Sequence, residues 1–313
     1  MQKGKSVQRH YVKMNIKNGR MEITTVMGCK MDCRYCPQKL LVKQYFAPSR
    51  SSNYKRIMSL DDFKFFLDKL GADILICFAG MSEPWQNPEC TDMLMYAYGK
   101  GYPLAVYTTL MGFTLSDFER IKDIPFEEFV VHLPDQEGNS NIRITDEYLE
   151  VLSYMANYKR DNVSLVTDYS CHGEFNSRIK NILPRNIINQ TELNDRAGNL
   201  NDNHISKMKE IKGQILCYRC KDRLNNNVLL PDGSVLLCCM DYSMRHVLGN
   251  LFESSYENIL NSQVANYIRR EMKDDTNPIL CRKCVNAMDI YKTYDYFYEY
   301  YNWAISLYKE YIR

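Results

Sequence analysis

Along the first half of the chain, short β-branched or apolar runs alternate with longer stretches whose apolar residues recur near a period of 3.6. The runs Met21–Met27, Asp73–Phe78, Pro103–Thr108, Glu128–His132 and Val163–Asp168 read as strands. Between two of them, Leu60-Asp-Asp-Phe-Lys-Phe-Phe-Leu-Asp-Lys-Leu70 has helical spacing. Ser59 stands where an N-cap belongs, and Asp61 and Asp62 oppose the helix dipole in the first turn. Thr145-Asp-Glu-Tyr-Leu-Glu-Val-Leu opens another helix in the same way. Strands alternating with helices predict parallel pairing through crossover helices, an α/β architecture. In such barrels, functional groups gather on loops at the C-terminal ends of the strands.

The pattern then changes. Asn189 to Lys212 is polar and rich in Asn and Asp, and a domain boundary is expected there, dividing 1–205 from 206–313. Beyond it, Pro231-Asp-Gly233 between two β-like runs is a hairpin signal, and a helical pattern runs from about Tyr256 to Arg270. The tail from Asp289 is rich in Tyr and reads as a helix packed on its own domain; the basic stretch Lys3 to Lys17 reads as a solvated arm.

With 313 residues the chain can bury a sizeable core, and a net charge of +2 carries no nucleic-acid or membrane signal. The first twenty residues lack the apolar core of a signal peptide, and no run approaches a membrane span, so a cytoplasmic location is expected. In a reducing compartment twelve cysteines read as ligands rather than a disulfide framework; nine of them fall in two groups, at 29–36 and 217–284.

The first group is Cys29-Lys-Met-Asp-Cys33-Arg-Tyr-Cys36. Thiolates bind iron–sulfur clusters, and this spacing lets one loop wrap several ligands round one cluster. Three thiolates on a cubane leave one iron free for a substrate or cofactor. The same three could also form part of a zinc site. The CxxxCxxC spacing resembles the signature of the radical S-adenosylmethionine (SAM) superfamily. The resemblance implies that Cys29, Cys33 and Cys36 hold a [4Fe–4S] cluster whose fourth iron chelates SAM, and that Tyr35 packs near the adenine. It implies a partial (β/α)6 TIM-like barrel and reductive cleavage of SAM to a 5′-deoxyadenosyl radical that removes hydrogen from substrate.

The strand ends extend the resemblance. Gly80-Met81-Ser82-Glu83 looks like the family's GGE-type motif, which holds the amino end of SAM; its middle position departs from the usual form, and a bland turn is the alternative. Thr108 and Thr109, in a turn resembling "TNG", are candidates for the SAM ribose, though β-branched residues also sit at strand ends for packing alone. His132 and Asp135 are candidate acids or bases, or residues satisfied locally. Cys171 is a candidate hydrogen-atom donor, or a plain loop cysteine. Arg196, in Arg196-Ala-Gly198-Asn199, is a candidate for the SAM carboxylate, or an exposed linker arginine.

The second group runs Cys217-x-x-Cys220, Cys238-Cys239, then Cys281-x-x-Cys284. Two CxxC pairs can bind structural zinc. The order of cysteine, hairpin with Gly233-x4-Cys238, Gly249-Asn250, helix and CxxC resembles the SPASM domain attached to many radical SAM enzymes. That resemblance implies a small C-terminal α+β domain with one auxiliary [4Fe–4S] cluster, held by Cys238, Cys281, Cys284 and either Cys217 or Cys220. If Cys238 ligates, Cys239 points elsewhere, because neighbours on a strand face opposite ways; it is then either a thiol that quenches a substrate radical or a buried spare.

The expected activity is that of a radical SAM enzyme of oxidoreductase or epimerase type, dehydrogenating or epimerising a small metabolite such as a sugar or aminocyclitol. One alternative is a maturase of a ribosomally made precursor peptide. Another is an iron–sulfur electron carrier or zinc-stabilised binding module. An electron donor such as flavodoxin or ferredoxin is the expected partner.

Overall fold

A computed structural model of the chain describes residues 19–48, 54–160, 163–183, 188–191, 193–202, 205 and 207–289. The basic arm and the Tyr-rich tail lie outside them. Six parallel strands stand side by side in chain order: β1 Arg20–Ile23, β2 Leu75–Phe78, β3 Leu104–Thr108, β4 Glu128–His132, β5 Asp168–Cys171 and β6 Ile188–Gln190. The connections carry helices α1 Gln38–Tyr45, α2 Leu60–Leu67, α3 Cys90–Gly99, α4 Leu115–Ile121 and α5 Asp146–Asn157. This is the partial (β/α)6 barrel. Met21, Ile23, Ile76 and Phe78 are buried together with Phe63 and Phe66 of α2 and Met93 and Leu94 of α3.

The capping signals act as their chemistry requires. Ser59 accepts from the Asp62 N–H, Thr145 from the Tyr148 N–H, and Thr114 forms a reciprocal box with Asp117. The fourth strand matches the expected bounds, and two others differ in an instructive way. β1 ends at Ile23 because the chain beyond it pairs elsewhere: Met58 N–H donates to the Thr25 carbonyl, and Val26 bridges Ile57. The fifth strand is Asp168–Cys171, not Val163–Asp168. Val163–Ser164 pairs instead with Lys159–Arg160 in a small hairpin, while Leu165 and Val166 are buried in the core. Apolarity in that run serves packing, and the polar run after it supplies the ladder.

The barrel does not close on itself. The strand Ile215–Cys217 (β7) is followed by β8 Asn226–Leu229, which joins β1 in parallel, and β9 Ser234–Leu236 and β10 Val247–Asn250 extend the sheet antiparallel. The Pro231-Asp-Gly233 hairpin is therefore present, with Leu229 opposite Val235. The expected single helix is two, α6 Tyr256–Leu260 and α7 Gln263–Asp274, because Ser262 caps a new start through the Ala265 N–H. β11 Ala287–Asp289 returns to pair with β7, which brings Cys217 beside the segment holding Cys281 and Cys284. One hydrophobic cluster runs from the barrel into this region through Val235, Leu237, Leu248 and Leu251. Among the described residues no helix is long and apolar enough to cross a membrane.

Candidate functional site

The loop after β1 carries the first three cysteines, and neighbouring loops pin it. Its Arg34 N–H donates to the Asn139 carbonyl at 2.9 Å and its Lys30 N–H to Gln86 Oε1 at 3.1 Å. With its amide turned to suit its neighbours, Gln38 accepts from the Cys29 N–H at 2.9 Å and donates to the Met81 carbonyl at 3.0 Å, tying this loop to the one after β2. Cys29, Cys33 and Cys36 line a cavity of about 660 Å³, open space at its mouth included, at the C-terminal ends of the strands. Tyr35, Gly80, Met81, Ser82, Glu83, Thr108, Thr109 and Arg196 line the same cavity. Every expected SAM-site residue is thus brought to one place.

The local geometry explains several of them. Gly80 has φ +61°, and a Cβ there would stand 2.3 Å from Thr24 Oγ1, so only glycine lets the loop cross the end of β1. Glu83 is 4% exposed, and its carboxylate accepts from Thr108 Oγ1 (2.7 Å), Thr109 Oγ1 (2.7 Å), the Thr109 N–H (2.6 Å) and the Trp85 N–H (3.4 Å). Its acceptor positions are spent on fixing the turn after β3, and burial still pushes its carboxyl above the usual range. Toward a ligand it offers charge rather than a free lone pair. The Arg196 turn is wound left-handed through three residues, with φ +50° at Arg196, +56° at Ala197 and +79° at Gly198. Asn199 staples that turn to the C-terminal region, donating to the Arg196 and Met240 carbonyls at 2.8 Å each. Strain held this way marks an over-determined site.

Three lining residues were outside the site expected from sequence or left open by it. Tyr242 is buried, and its hydroxyl lies 3.7 Å from Cys36 Sγ. His132 faces the cavity with Nδ1 enclosed and unpartnered; burial, then His172 and Arg196, hold its imidazole down to about 3, hence neutral. His172 packs between Tyr35 and His132, with ring centroids at 4.0 and 6.2 Å. Ser82 Oγ is likewise buried without a partner. Asp135, in contrast, is a loop organiser: it accepts from the Asn139 and Ser140 N–H groups and the Ser140 hydroxyl, which hold its carboxyl below the usual range although burial opposes them. Cys171 lies in the core with Sγ 3.9 Å from the Pro134 carbonyl and is not among the cavity's lining residues.

A second cavity, about 430 Å³ and more enclosed, is lined by Cys217, Cys220, Cys238, Cys281 and Cys284 with Met240, Leu280 and Ala287. Five thiols therefore converge where four ligand positions are expected. Burial pushes the Cys284 thiol up to about 11, and Cys36 in the first cavity equally, so both stay protonated until a metal displaces the proton. Among the described residues, no three His, Cys, Asp or Glu side chains converge tightly enough to hold a single metal ion. The five thiols line an enclosed cavity. Cys238 faces this cavity and Cys239 does not, but β9 ends at Leu236, so a turn rather than strand alternation separates them. Cys239 Sγ accepts from Arg219 Nη1 at 3.0 Å, and Arg219 Nη2 reaches Glu22 of β1 at 3.1 Å.

Residues 217–285 match the family model of SPASM, an iron–sulfur cluster-binding domain. The structure is similar to BtrN in complex with AdoMet and 2-DOIA, at 18% identity and TM-score 0.55, covering 87% of this chain and 94% of that one. It is also similar to Streptococcus suis SuiB bound to precursor peptide SuiA, at 12% identity and TM-score 0.54, covering 80% of this chain and 66% of that one. The chain shares its fold with these proteins, and its segment 217–285 is that of a SPASM iron–sulfur cluster-binding domain. A third likeness, to anSMEcpe with bound AdoMet and Cp18Cys peptide, has 12% identity and TM-score 0.53 and covers 85% of this chain and 86% of that one. No curated protein sequence matches the chain. The SPASM segment supplies the cysteines of the second cavity, and the first cavity lies at the strand ends of the barrel.

Proposed function

We propose that the chain is a radical SAM enzyme, with residues 1–205 as its core domain and 206–313 as its auxiliary-cluster domain, acting on a small polar metabolite such as a sugar or aminocyclitol. The observation that carries this reading is the first cavity, where three thiols from one loop meet Gly80–Glu83, Thr108–Thr109 and Arg196 from three other parts of the chain. When bound, a [4Fe–4S] cluster and SAM supply a reductively formed 5′-deoxyadenosyl radical that removes a hydrogen atom from an unactivated carbon.

The chain's own residues do the rest. Cys29, Cys33 and Cys36 would hold the cluster as its three protein ligands. The Gly80–Ser82 backbone and the negative charge of Glu83 attract the SAM ammonium group. Arg196, held rigid by its left-handed turn, presents a guanidinium to the SAM carboxylate. Thr108 and Thr109 order the ribose edge, and Tyr35, backed by His172, packs against the adenine. Neutral His132 offers a hydrogen bond to an uncharged hydroxyl or amine. Cys238, Cys281 and Cys284 with Cys217 or Cys220 hold the auxiliary cluster. Cys239, bonded to Arg219 and lining neither cavity, and the core Cys171 are the candidate thiols for returning hydrogen. Outcome therefore divides between dehydrogenation and epimerisation. An electron donor of the flavodoxin or ferredoxin kind completes the system.

A small metabolite is favoured because the likeness to BtrN, with 2-DOIA bound, spans 94% of that protein. The likeness to SuiB, bound to a precursor peptide, spans 66%. Peptide maturation is the second reading, favoured by the peptide-bound state of SuiB and anSMEcpe. The test is anaerobic reconstitution of wild type and a C29A/C33A/C36A variant, with iron, sulfide and 5′-deoxyadenosine measured. About eight irons falling to about four, with deoxyadenosine lost, supports the proposal. Zinc in place of iron, or no deoxyadenosine from the wild type, sinks it in favour of a binding module. Deoxyadenosine formation stimulated by a leader peptide and not by aminocyclitols moves the assignment to the peptide reading.

A further inference from the structure

Three consecutive asparagines, Asn225, Asn226 and Asn227, enter β8, and two of them have sharply different surroundings. Asn227 is fully used: its Nδ2 donates to the Leu236 and Leu237 carbonyls at 3.2 and 2.9 Å, and its Oδ1 accepts from the Tyr256 hydroxyl at 2.7 Å. It clamps the hairpin. Asn226 is 4% exposed, yet neither its Oδ1 nor its Nδ2 has a hydrogen-bond partner. Its side chain lines the five-cysteine cavity.

A buried primary amide with nothing to bond forfeits about 1–3 kcal/mol, so such groups are rare in folded proteins. The surroundings do not relieve it. Met240, Leu280 and Ala287 are apolar, the guanidinium of Arg219 is engaged with Cys239 and Glu22, and neither Asn286 nor a lining thiol pairs with the amide. The register of β8 against β1, with Asn226 opposite Arg20, fixes the residue at the cavity wall. What would fill that cavity is sulfur-rich and carries negative charge, which is what an N–H seeks.

We propose that Asn226 donates a hydrogen bond from Nδ2 to a sulfur of the [4Fe–4S] cluster held by the C-terminal cysteines, and so raises that cluster's reduction potential. The inference rests on the auxiliary-cluster reading above. Hydrogen bonds to cluster sulfurs disperse their negative charge and favour the reduced state. Asn226 is in this sense a tuning residue, not a ligand: the thiols hold the irons and the amide sets how readily they accept an electron.

The test uses the full chain in the C29A/C33A/C36A background, reconstituted anaerobically so that only the C-terminal site can carry iron. Asn226→Leu and the near-isosteric Asn226→Asp are compared with Asn226 for iron content, the electron paramagnetic resonance of the reduced cluster, and midpoint potential. The expected result is about four irons in all three proteins. The reduction equilibrium should shift against the reduced state about tenfold in Asn226→Leu, about 59 mV for one electron, and further in Asn226→Asp. Unchanged potentials with four irons retained overturn the inference and leave the auxiliary cluster standing. Loss of iron from both variants, with the fold kept, also overturns it, since Asn226 would then be part of the scaffold. Zinc or no iron in the parent removes the reading on which the inference rests.

Discussion

The two cysteine cavities are built from the same ligand chemistry and differ in almost everything else. The first has three thiols from one loop, opens at the strand ends, and mixes its sulfur with Glu83, His132, Arg196 and an unpartnered Ser82 hydroxyl. The second has five thiols from three segments, is more enclosed, and is otherwise lined by Met240, Leu280 and Ala287, by Arg219 and Asn286, and by the orphaned amide of Asn226. A loop that supplies all its ligands needs little from the fold beyond anchoring. Ligands drawn from segments 217–220, 238 and 281–284 make their group a cross-link of the fold itself. On the proposed function, the difference separates a site made to exchange ligands from one made to hold its contents.

That contrast predicts unequal costs when each site is emptied. Cys281→Ala/Cys284→Ala should lower the thermal midpoint of the reconstituted protein by roughly 10 °C, because the group it loses joins β7, the hairpin and the last CxxC. C29A/C33A/C36A should abolish deoxyadenosine formation with a midpoint shift of only a few degrees. Calorimetry of the two variants beside the wild type decides it. Equal losses of stability would break the comparison.

The parts of this design legible in the sequence are those encoded locally. The cysteine spacings, the Ser59 and Thr145 caps and the Pro231-Asp-Gly233 turn each act within a few residues, and each is found where the pattern places it. The fifth strand was hidden because its residues, Asp168-Tyr-Ser-Cys171, are mostly polar while the apolar run before them serves the core. The features missed altogether depend on β8 joining β1. Arg219 meets Glu22 from 197 positions away, Asn226 stands opposite Arg20, and Tyr242 reaches Cys36 from 206 positions away. No periodicity carries such pairings; only the joining of the C-terminal hairpin to the edge of the barrel sheet does. Glu83 shows a subtler limit. Its position was readable from the motif, but its engagement with Thr108 and Thr109 was not, so two features read separately are one hydrogen-bonded unit.

Arg196 sharpens the comparison at intermediate size, since it belongs to the exchanging site but is held by the holding one through Asn199 and Met240. Arg196→Ala removes the guanidinium and keeps the left-handed backbone; Arg196→Gly removes it and relaxes that backbone. Both should weaken SAM binding about tenfold to a hundredfold, the range for a hydrogen bond to a charged group, with iron content unchanged. Equilibrium dialysis with SAM measures the loss, and the Gly variant should be the more stable of the two. If neither variant changes SAM affinity, Arg196 serves only the turn.

The smallest effect expected is a pH dependence that differs between the regions. Burial and the neighbouring His172 and Arg196 hold His132 down to about 3, against about 6.5 in an unfolded chain. Between those values the unfolded state binds the extra proton, so stability rises with pH across the window and is lost progressively as pH falls below about 6.5. His172 is shifted the same way, chiefly by burial, and so is His246 behind the second cavity. Because His132 is only half-buried, its share should stay well under the limit of about 1.4 kcal/mol per pH unit. His132→Gln should flatten the fall in urea midpoint between pH 6.5 and 5 without abolishing it, the remainder coming from His172 and His246. A His246→Gln variant that flattened it as much or more would assign the acid sensitivity to the holding region. An undiminished slope in His132→Gln would show that the imidazole facing the first cavity already takes up its proton in the folded protein, and a neutral donor to substrate would no longer describe it.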